Sequence, residues 1–175
     1  MAGPKQPEPV QPEPAPASGS PSRRKKTPSA RSKARRRAVE ILFEAQQRGV
    51  DAVELLQITE QRLGLRLHPY TVQVVQGVAS HCPEVEAAIT ARSREWELDR
   101  MPAVDRAILT VGAYELLHAT WPQPQAEQEG SASPVEATPA AVVISEAVDL
   151  AALLSTSASP AFINGVLDAI ATPAS

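Results

Sequence analysis

The stretch VDRAILTVGAYELLH, residues 104–118, carries the strongest helical pattern in the chain. Its apolar side chains recur at the spacing of one helix face, at Val104, Ile108, Val111 and Leu116. Pro102 lies just before it, and proline is common in the first turn of a helix. The stretch therefore predicts a helix that buries one face against neighbouring elements.

Six further segments show helical spacing together with residues that begin or end helices. Glycine commonly follows the last turn of a helix and proline commonly occupies the first. The predicted helices run from about Lys33 to Gly49, over Ala52–Leu63, over Tyr70–Ser80, from Pro83 to about Arg94, over Ala140–Leu154, and from Ser159-Pro160 onward. In the second of these, Val53, Leu56 and Leu63 are predicted to face inward, and Ser159 is predicted to cap the last. No segment shows sustained strand alternation, so the predicted fold class is all-α.

Two segments lack the apolar pattern that a packed helix needs. Residues 1–28 contain eight prolines and little to bury, so they are predicted to be disordered. Residues 120–139 hold four prolines and three glutamates without an apolar stripe, and they are predicted to form a mobile acidic loop. The predicted organisation is an extension over residues 1–30 followed by one helical domain over residues 31–172.

The net charge of −3 conceals a strong asymmetry. Residues 1–37 carry ten basic and two acidic side chains, whereas the other residues carry seven basic and eighteen acidic ones. A basic arm on an acidic body suggests a polyanionic partner, because local charge rather than net charge governs such binding.

Several functional classes have no support in the sequence. His68, His81 and His118 are scattered, and Cys82 is the only cysteine, which excludes an intrachain disulfide and a zinc site built on cysteine pairs. No phosphate-binding glycine loop or catalytic motif occurs, so neither an enzyme nor a cofactor or metal is expected. No apolar run is long enough to span a membrane and no secretory signal begins the chain, so a cytoplasmic location is expected.

The basic stretch RRKKTPSARSKARRR, residues 23–37, has two interpretations. It is either a solvated, solubilising tail or a nucleic-acid contact whose arginines are fixed by the helix that follows. Phe162 is likewise either a core aromatic, in register with Ile163 and Val166, or an exposed ring that stacks on a base. From pattern alone, Asp105 and Asp149 are solvated residues beside apolar stripes.

Four segments together resemble the NusB family of bacterial transcription antitermination factors. They are ARRRAVEILFEAQ (34–46), VDRAILTVGAYELLH (104–118), VVISEAVDLA (142–151) and SPAFINGVLD (159–168). The resemblance implies two three-helix bundles around a shared N-terminal helix, and no catalysis. It also implies that the protein pairs with NusE, a small-subunit ribosomal protein, to bind single-stranded boxA RNA of nascent ribosomal RNA transcripts within the antitermination complex of RNA polymerase.

The resemblance also suggests site residues. RNA-contacting positions of the family fall on Arg31, Ser32, Lys33, Arg35, Arg36 and Phe162, and NusE-facing positions fall on Phe43, Asp99 and Asp105. This chain differs from the family in its long loop at 120–139 and in lacking acidic residues over 155–158. The resemblance leaves open whether the protein is a monomer or a homodimer.

Two other functions compete with this interpretation. One is a helical adaptor for protein–protein interactions whose basic tail is only a solvated arm. The other is the NusB-like module of RNA methyltransferases, but the sequence contains no methyl-donor domain. Binding of boxA-type RNA with and without NusE would separate the antitermination factor from the adaptor.

Overall fold

The computed structural model describes residues 27–93, 100–118 and 138–172, and these residues form helices without a strand. The described helices are α1 (Ala30–Arg48), α2 (Ala52–Leu63), α3 (Pro69–Ser80), α4 (Cys82–Thr90), α5 (Ala103–His118), α6 (Ala140–Leu154) and α7 (Ser159–Ala171). This confirms the predicted all-α class. The predicted tail over residues 1–26 and most of the predicted loop, residues 119–137, lie outside the described residues.

The helix boundaries follow the local signals in the sequence. Asp51 accepts hydrogen bonds from the backbone N–H groups of Val53 and Glu54, which caps α2. Gly49 and Gly64 end α1 and α2 with φ of 64° and 63°, a left-handed conformation that glycine adopts without strain. These short-range contacts explain why the predicted bounds of α2 match the observed ones; the predicted bounds of α6 also match, although no side chain caps that helix.

Helix α5 lies at the centre of the fold. It packs against α1, α3, α4, α6 and α7, while α1 also contacts α2 and α3. Helices α1 to α3 form a first group and α4 to α7 a second. The contacts of α5 with α1 and α3 join the two groups. The apolar face of α5 is buried at Ile108 and Val111, as its sequence pattern predicts.

Two predictions about α2 and α4 are wrong. Leu63, in the last turn of α2, is 46% exposed rather than buried. Leu65, just beyond the end of the helix, is exposed as well, so the chain has left the core at this point. The fourth helix ends at Thr90 and not near Arg94. There the Arg92 side chain donates to the backbone carbonyl of Ala169 in α7, a long-range contact that local sequence does not reveal.

No helix of the described segments is both long and apolar enough to cross a membrane.

Candidate nucleic-acid interface

Helix α1 begins in the basic stretch, three residues before the predicted start. Ser29 caps it, because the Ser29 hydroxyl accepts a hydrogen bond of 3.0 Å from the backbone N–H of Ser32. The first turn contains no acidic residue. Cations there oppose the helix dipole, so a bound anion would stabilise this end of the helix.

Arg35 points into the protein and is only 2% exposed. Its guanidinium donates two hydrogen bonds of 2.8 Å to the Glu115 carboxylate of α5 and one of 2.9 Å to the Tyr70 hydroxyl of α3. A fourth contact, 3.3 Å long, reaches a third partner, the carboxylate of Glu146 in α6. Arg35 therefore fixes the start of α1 to three other helices. This position differs from the RNA-facing one expected from the resemblance.

Burial and mutual contact shift the pKa values of both Arg35 and Glu115. Burial raises the pKa of the Glu115 carboxyl above its ordinary value, and the hydrogen bonds and charge of Arg35 counteract only part of this effect. Burial lowers the pKa of the Arg35 guanidinium, but contacts with Glu115 and Glu146 together outweigh burial and the net direction is upward. The Arg35 guanidinium thus stays charged, and its charge favours the ionised form of the buried Glu115 carboxyl.

Glu115 was not identified from the sequence, although its position carries a signal. It continues the spacing of Ile108 and Val111 on the apolar face of α5, where a lone carboxylate would be costly. A charged residue in that register implies a buried partner of opposite charge. The pattern does not say which of the many arginines supplies it.

Glu146 connects the buried pair to the surface. Its carboxylate accepts a 2.8 Å hydrogen bond from the Ser32 hydroxyl as well as the contact from Arg35. The Ser32 side chain, which the resemblance assigns to RNA contact, therefore links α1 to α6. The resemblance gave no role to Glu146.

The remaining predicted cations of α1 are less buried than Arg35. Lys33 is exposed, and the Arg36 side chain is 49% exposed while it pairs with Glu40 at 2.9 Å. Arg31 is half-buried, with its guanidinium carbon 5.1 Å from the centre of the Tyr70 ring. That distance fits a cation–π contact, which restrains the arginine without neutralising it. Lys33 and Arg36 therefore form a cationic face at the start of α1, and Arg31 adds a third cation on the side of the helix that faces Tyr70 of α3.

A cavity of about 400 Å³ lies between this face and α6. Its lining combines the cations Lys33 and Arg36 with carboxylates and apolar side chains of α6. The lining residues are Thr27, Pro28, Ser29, Ser32, Lys33, Arg36, Glu146, Asp149, Leu150 and Leu153.

Phe162 lies on a different element, in the first turns of α7. Its ring is half-buried and packs against the hydrophobic core, so part of the side chain stays accessible. The position combines features of the two sequence interpretations, because the ring is neither fully in the core nor fully exposed.

Ser159 is not the cap that the sequence predicted. It is the first residue of α7, and its hydroxyl donates a 2.7 Å hydrogen bond to Oδ2 of Asp105 in α5. Asp105 is only 3% exposed, and its Oδ1 has no hydrogen-bond partner in the described part of the chain. Asp105 therefore anchors α7 to α5, which differs both from the solvated position and from the exposed partner contact expected for it.

The other predicted partner residues have mixed placements. Phe43 is half-buried on α1 and packs against the core, with part of its ring accessible. Asp99 lies outside the described residues.

The structure brings together two histidines that are distant in the sequence. The ring centres of His81 and His118 are 4.0 Å apart, and Nε2 of His118 is 3.5 Å from a carboxylate oxygen of Glu84. The described residues contain no group of three or more His, Cys, Asp or Glu side chains arranged to hold a metal. Burial raises the pKa of the neighbouring Cys82 thiol, which makes it a weak nucleophile.

Comparison with known proteins gives consistent matches. The profile of the NusB family matches residues 32–127 and 134–172. The transcription antitermination protein NusB of Paenarthrobacter aurescens (strain TC1) is 42% identical over 139 residues, which span 79% of this chain and 90% of that protein.

Two solved structures share the fold. T. maritima NusB superposes with a TM-score of 0.63 at 24% identity, covering 83% of this chain and 92% of that chain. A crystal structure of the antitermination factors NusB and NusE in complex with dsRNA superposes with a TM-score of 0.58 at 22% identity, covering 81% of this chain and 95% of that chain.

Proposed function

Because this chain belongs to the NusB family, we propose that it acts as a transcription antitermination factor that binds boxA-type single-stranded RNA of nascent ribosomal RNA transcripts together with NusE. In this proposal the protein works in the cytoplasm within the antitermination complex of RNA polymerase. It acts by binding and positioning and catalyses no reaction. The domain over residues 31–172 is the binding unit.

The RNA-binding part of the proposal depends on one observation: the basic residues at the start of α1 point in different directions. Arg35 is fixed inside by Glu115, while Arg31, Lys33 and Arg36 remain on or near the surface. A cationic face held rigidly to the core suits a phosphate backbone, since its charges are positioned before binding occurs. We therefore assign Arg31, Ser32, Lys33 and Arg36 to RNA contact and give Arg35 a positioning role.

The half-buried ring of Phe162 supplies the second kind of contact that single-stranded RNA needs. Bases stack on aromatic side chains, and stacking contributes about 1–3 kcal/mol per base. The accessible part of Phe162 is suited to one such base.

We also propose a NusE surface that includes Phe43 and Asp99. Asp105 is not assigned to this surface, because it is buried and holds the start of α7 through Ser159. Its buried position makes it a poor direct contact, so charge reversal there would disturb folding as well as binding.

The salt dependence of RNA binding tests the cationic face. A variant with Arg31→Ala, Lys33→Ala and Arg36→Ala is compared with the unaltered protein by fluorescence anisotropy on a boxA-type single-stranded RNA, with NusE present. Each lost phosphate contact on a single strand reduces the log–log salt slope by about 0.7, so three should reduce it by about 2.

A matched control removes the same charge elsewhere. Arg48, Arg62 and Arg66 are exposed and none of them lines the cavity beside the start of α1, so replacing all three with alanine should leave most of the slope unchanged. Equal slopes for the first variant and the unaltered protein would contradict the proposal. They would instead favour a protein-interaction adaptor whose basic arm is only solvated.

A further inference from the structure

We propose that the cavity between the start of α1 and α6 recognises one base of the bound single strand, and that Asp149 selects a base carrying an exocyclic amino group. The inference rests on the proposed RNA-binding function and assigns sequence selectivity to the same site.

The lining of the cavity matches the parts of one nucleotide. Lys33 and Arg36 stand on the α1 side, where they can neutralise a phosphate. Leu153 on the α6 side is 62% exposed, so its apolar side chain is available to the face of a base. A volume of about 400 Å³ lies within the range of pockets that hold small organic groups.

The two carboxylates of the cavity have different surroundings. Glu146 already accepts from Ser32 and contacts Arg35, so its oxygens are engaged. Asp149 lies three residues further along α6 on the same side, and it is exposed without a hydrogen bond or ion pair in the described segments. Asp149 is therefore the carboxylate in the cavity that is available to a ligand.

A free carboxylate beside a phosphate path weakens binding unless it gains a hydrogen bond in return. Carboxylates accept from the amino group of cytosine, and single-stranded RNA exposes the Watson–Crick edges of its bases. Adenine and guanine also carry exocyclic amino groups. Uracil is disfavoured, because its one N–H lies between two carbonyl oxygens that a carboxylate repels.

The test uses the full chain with NusE and a set of boxA-type single-stranded RNAs. In each RNA one base is replaced by its analogue without the exocyclic amino group: purine for adenine, 2-pyrimidinone for cytosine, and hypoxanthine for guanine. We expect one position at which the unaltered protein loses between about fivefold and about a hundredfold in affinity, the usual discrimination of a base-edge contact.

The variant Asp149→Ala should bind the substituted RNA and the parent RNA with nearly equal affinity. Asp168→Ala is the matched control, since Asp168 is an exposed aspartate of α7 outside the cavity lining, and this variant should discriminate as the unaltered protein does. Both changes are at exposed positions, so melting curves should be nearly unchanged.

The outcomes separate this inference from the function on which it rests. If Asp149→Ala tightens binding of every RNA alike, Asp149 only repels phosphate, and base selection is overturned while RNA binding stands. If Asp149→Ala still discriminates at the same position, another group selects that base, and the inference is again overturned. If the unaltered protein binds none of the RNAs, the proposed function fails as well.

Discussion

Arg35 and Arg36 are neighbours in the sequence with the same side chain, yet the fold gives them opposite surroundings. Arg35 is buried against Glu115, Tyr70 and Glu146, whereas Arg36 lies on the surface with one exposed carboxylate beside it. Consecutive residues of a helix point about 100° apart, so a run of arginines cannot face one partner. The comparison shows that one basic motif serves both the stability of the fold and the proposed RNA surface.

The largest expected effect comes from the inner arginine. Arg35→Met should lower the free energy of unfolding by about 3–5 kcal/mol, because it leaves the buried Glu115 carboxylate without its cation. Arg36→Met is the matched control and should change stability by less than about 0.5 kcal/mol. Urea unfolding of the two variants measures both values. Similar losses in the two variants would contradict the difference between the inner and outer faces.

The loss in Arg35→Met should also depend on pH. Removal of the cation raises the folded-state pKa of Glu115 further above its unfolded value. Stability from such a group is fully present below the unfolded pKa and is lost as pH rises through the folded pKa. The deficit of Arg35→Met should therefore be smaller near about pH 5 than near about pH 8. A deficit that does not change with pH would show that Glu115 is not the group left unpaired.

A second buried polar contact tests whether burial decides how much stability is lost when a polar contact is removed. Ser159→Ala removes the hydrogen bond to Asp105 and leaves that buried carboxylate without a partner in the described structure. A cost of about 1–3 kcal/mol is expected for an unsatisfied buried group. Ser157→Ala, at an exposed position two residues before α7, should have almost no effect in thermal melting. Equal melting temperatures for the two variants would indicate that Asp105 is accessible to water.

Phe162 is half-buried, intermediate between the buried Arg35 and the exposed Arg36. Replacing it should therefore affect both RNA affinity and stability. Phe162→Ala should lower RNA affinity by about 1–3 kcal/mol if a base stacks on its ring, without a change in the salt slope. Its half-buried ring should cost less stability than the about 3–5 kcal/mol of a fully buried phenylalanine. Melting of the variant is measured before RNA titration. A folded variant that binds RNA normally would remove Phe162 from the proposed interface.

The smallest expected effect concerns the carboxylate that pairs with the outer face. Glu40 contacts both Arg36 and Arg37, and such exposed pairs contribute at most about 1 kcal/mol. Glu40→Gln should therefore change stability little, but should tighten RNA binding because Arg36 loses a competing anion. Glu44→Gln is the control, since Glu44 makes the same kind of pair with Arg48 near the other end of α1. Equal RNA affinities for the two variants would place Arg36 outside the RNA path.

The sequence by itself determined the helical class, the bounds of α2 and α6, and the buried face of α5. These features depend on capping residues and on apolar spacing, which act over a few residues and are visible in one dimension. The sequence likewise showed the concentration of positive charge before α1. The NusB resemblance rested on residues within these helices, and the family match supports it.

The tertiary structure alone decided which polar residues are buried and with which partners. Arg35 and Glu115 are 80 positions apart, and Asp105 and Ser159 are 54 apart, so no local pattern joins them. A buried charge requires a partner across the core, but periodicity shows only that a partner is needed. Hence the arginine run predicted a binding surface, while the contacts of α1 with α3, α5 and Glu146 of α6 decided which of its side chains are buried and which stay at the surface.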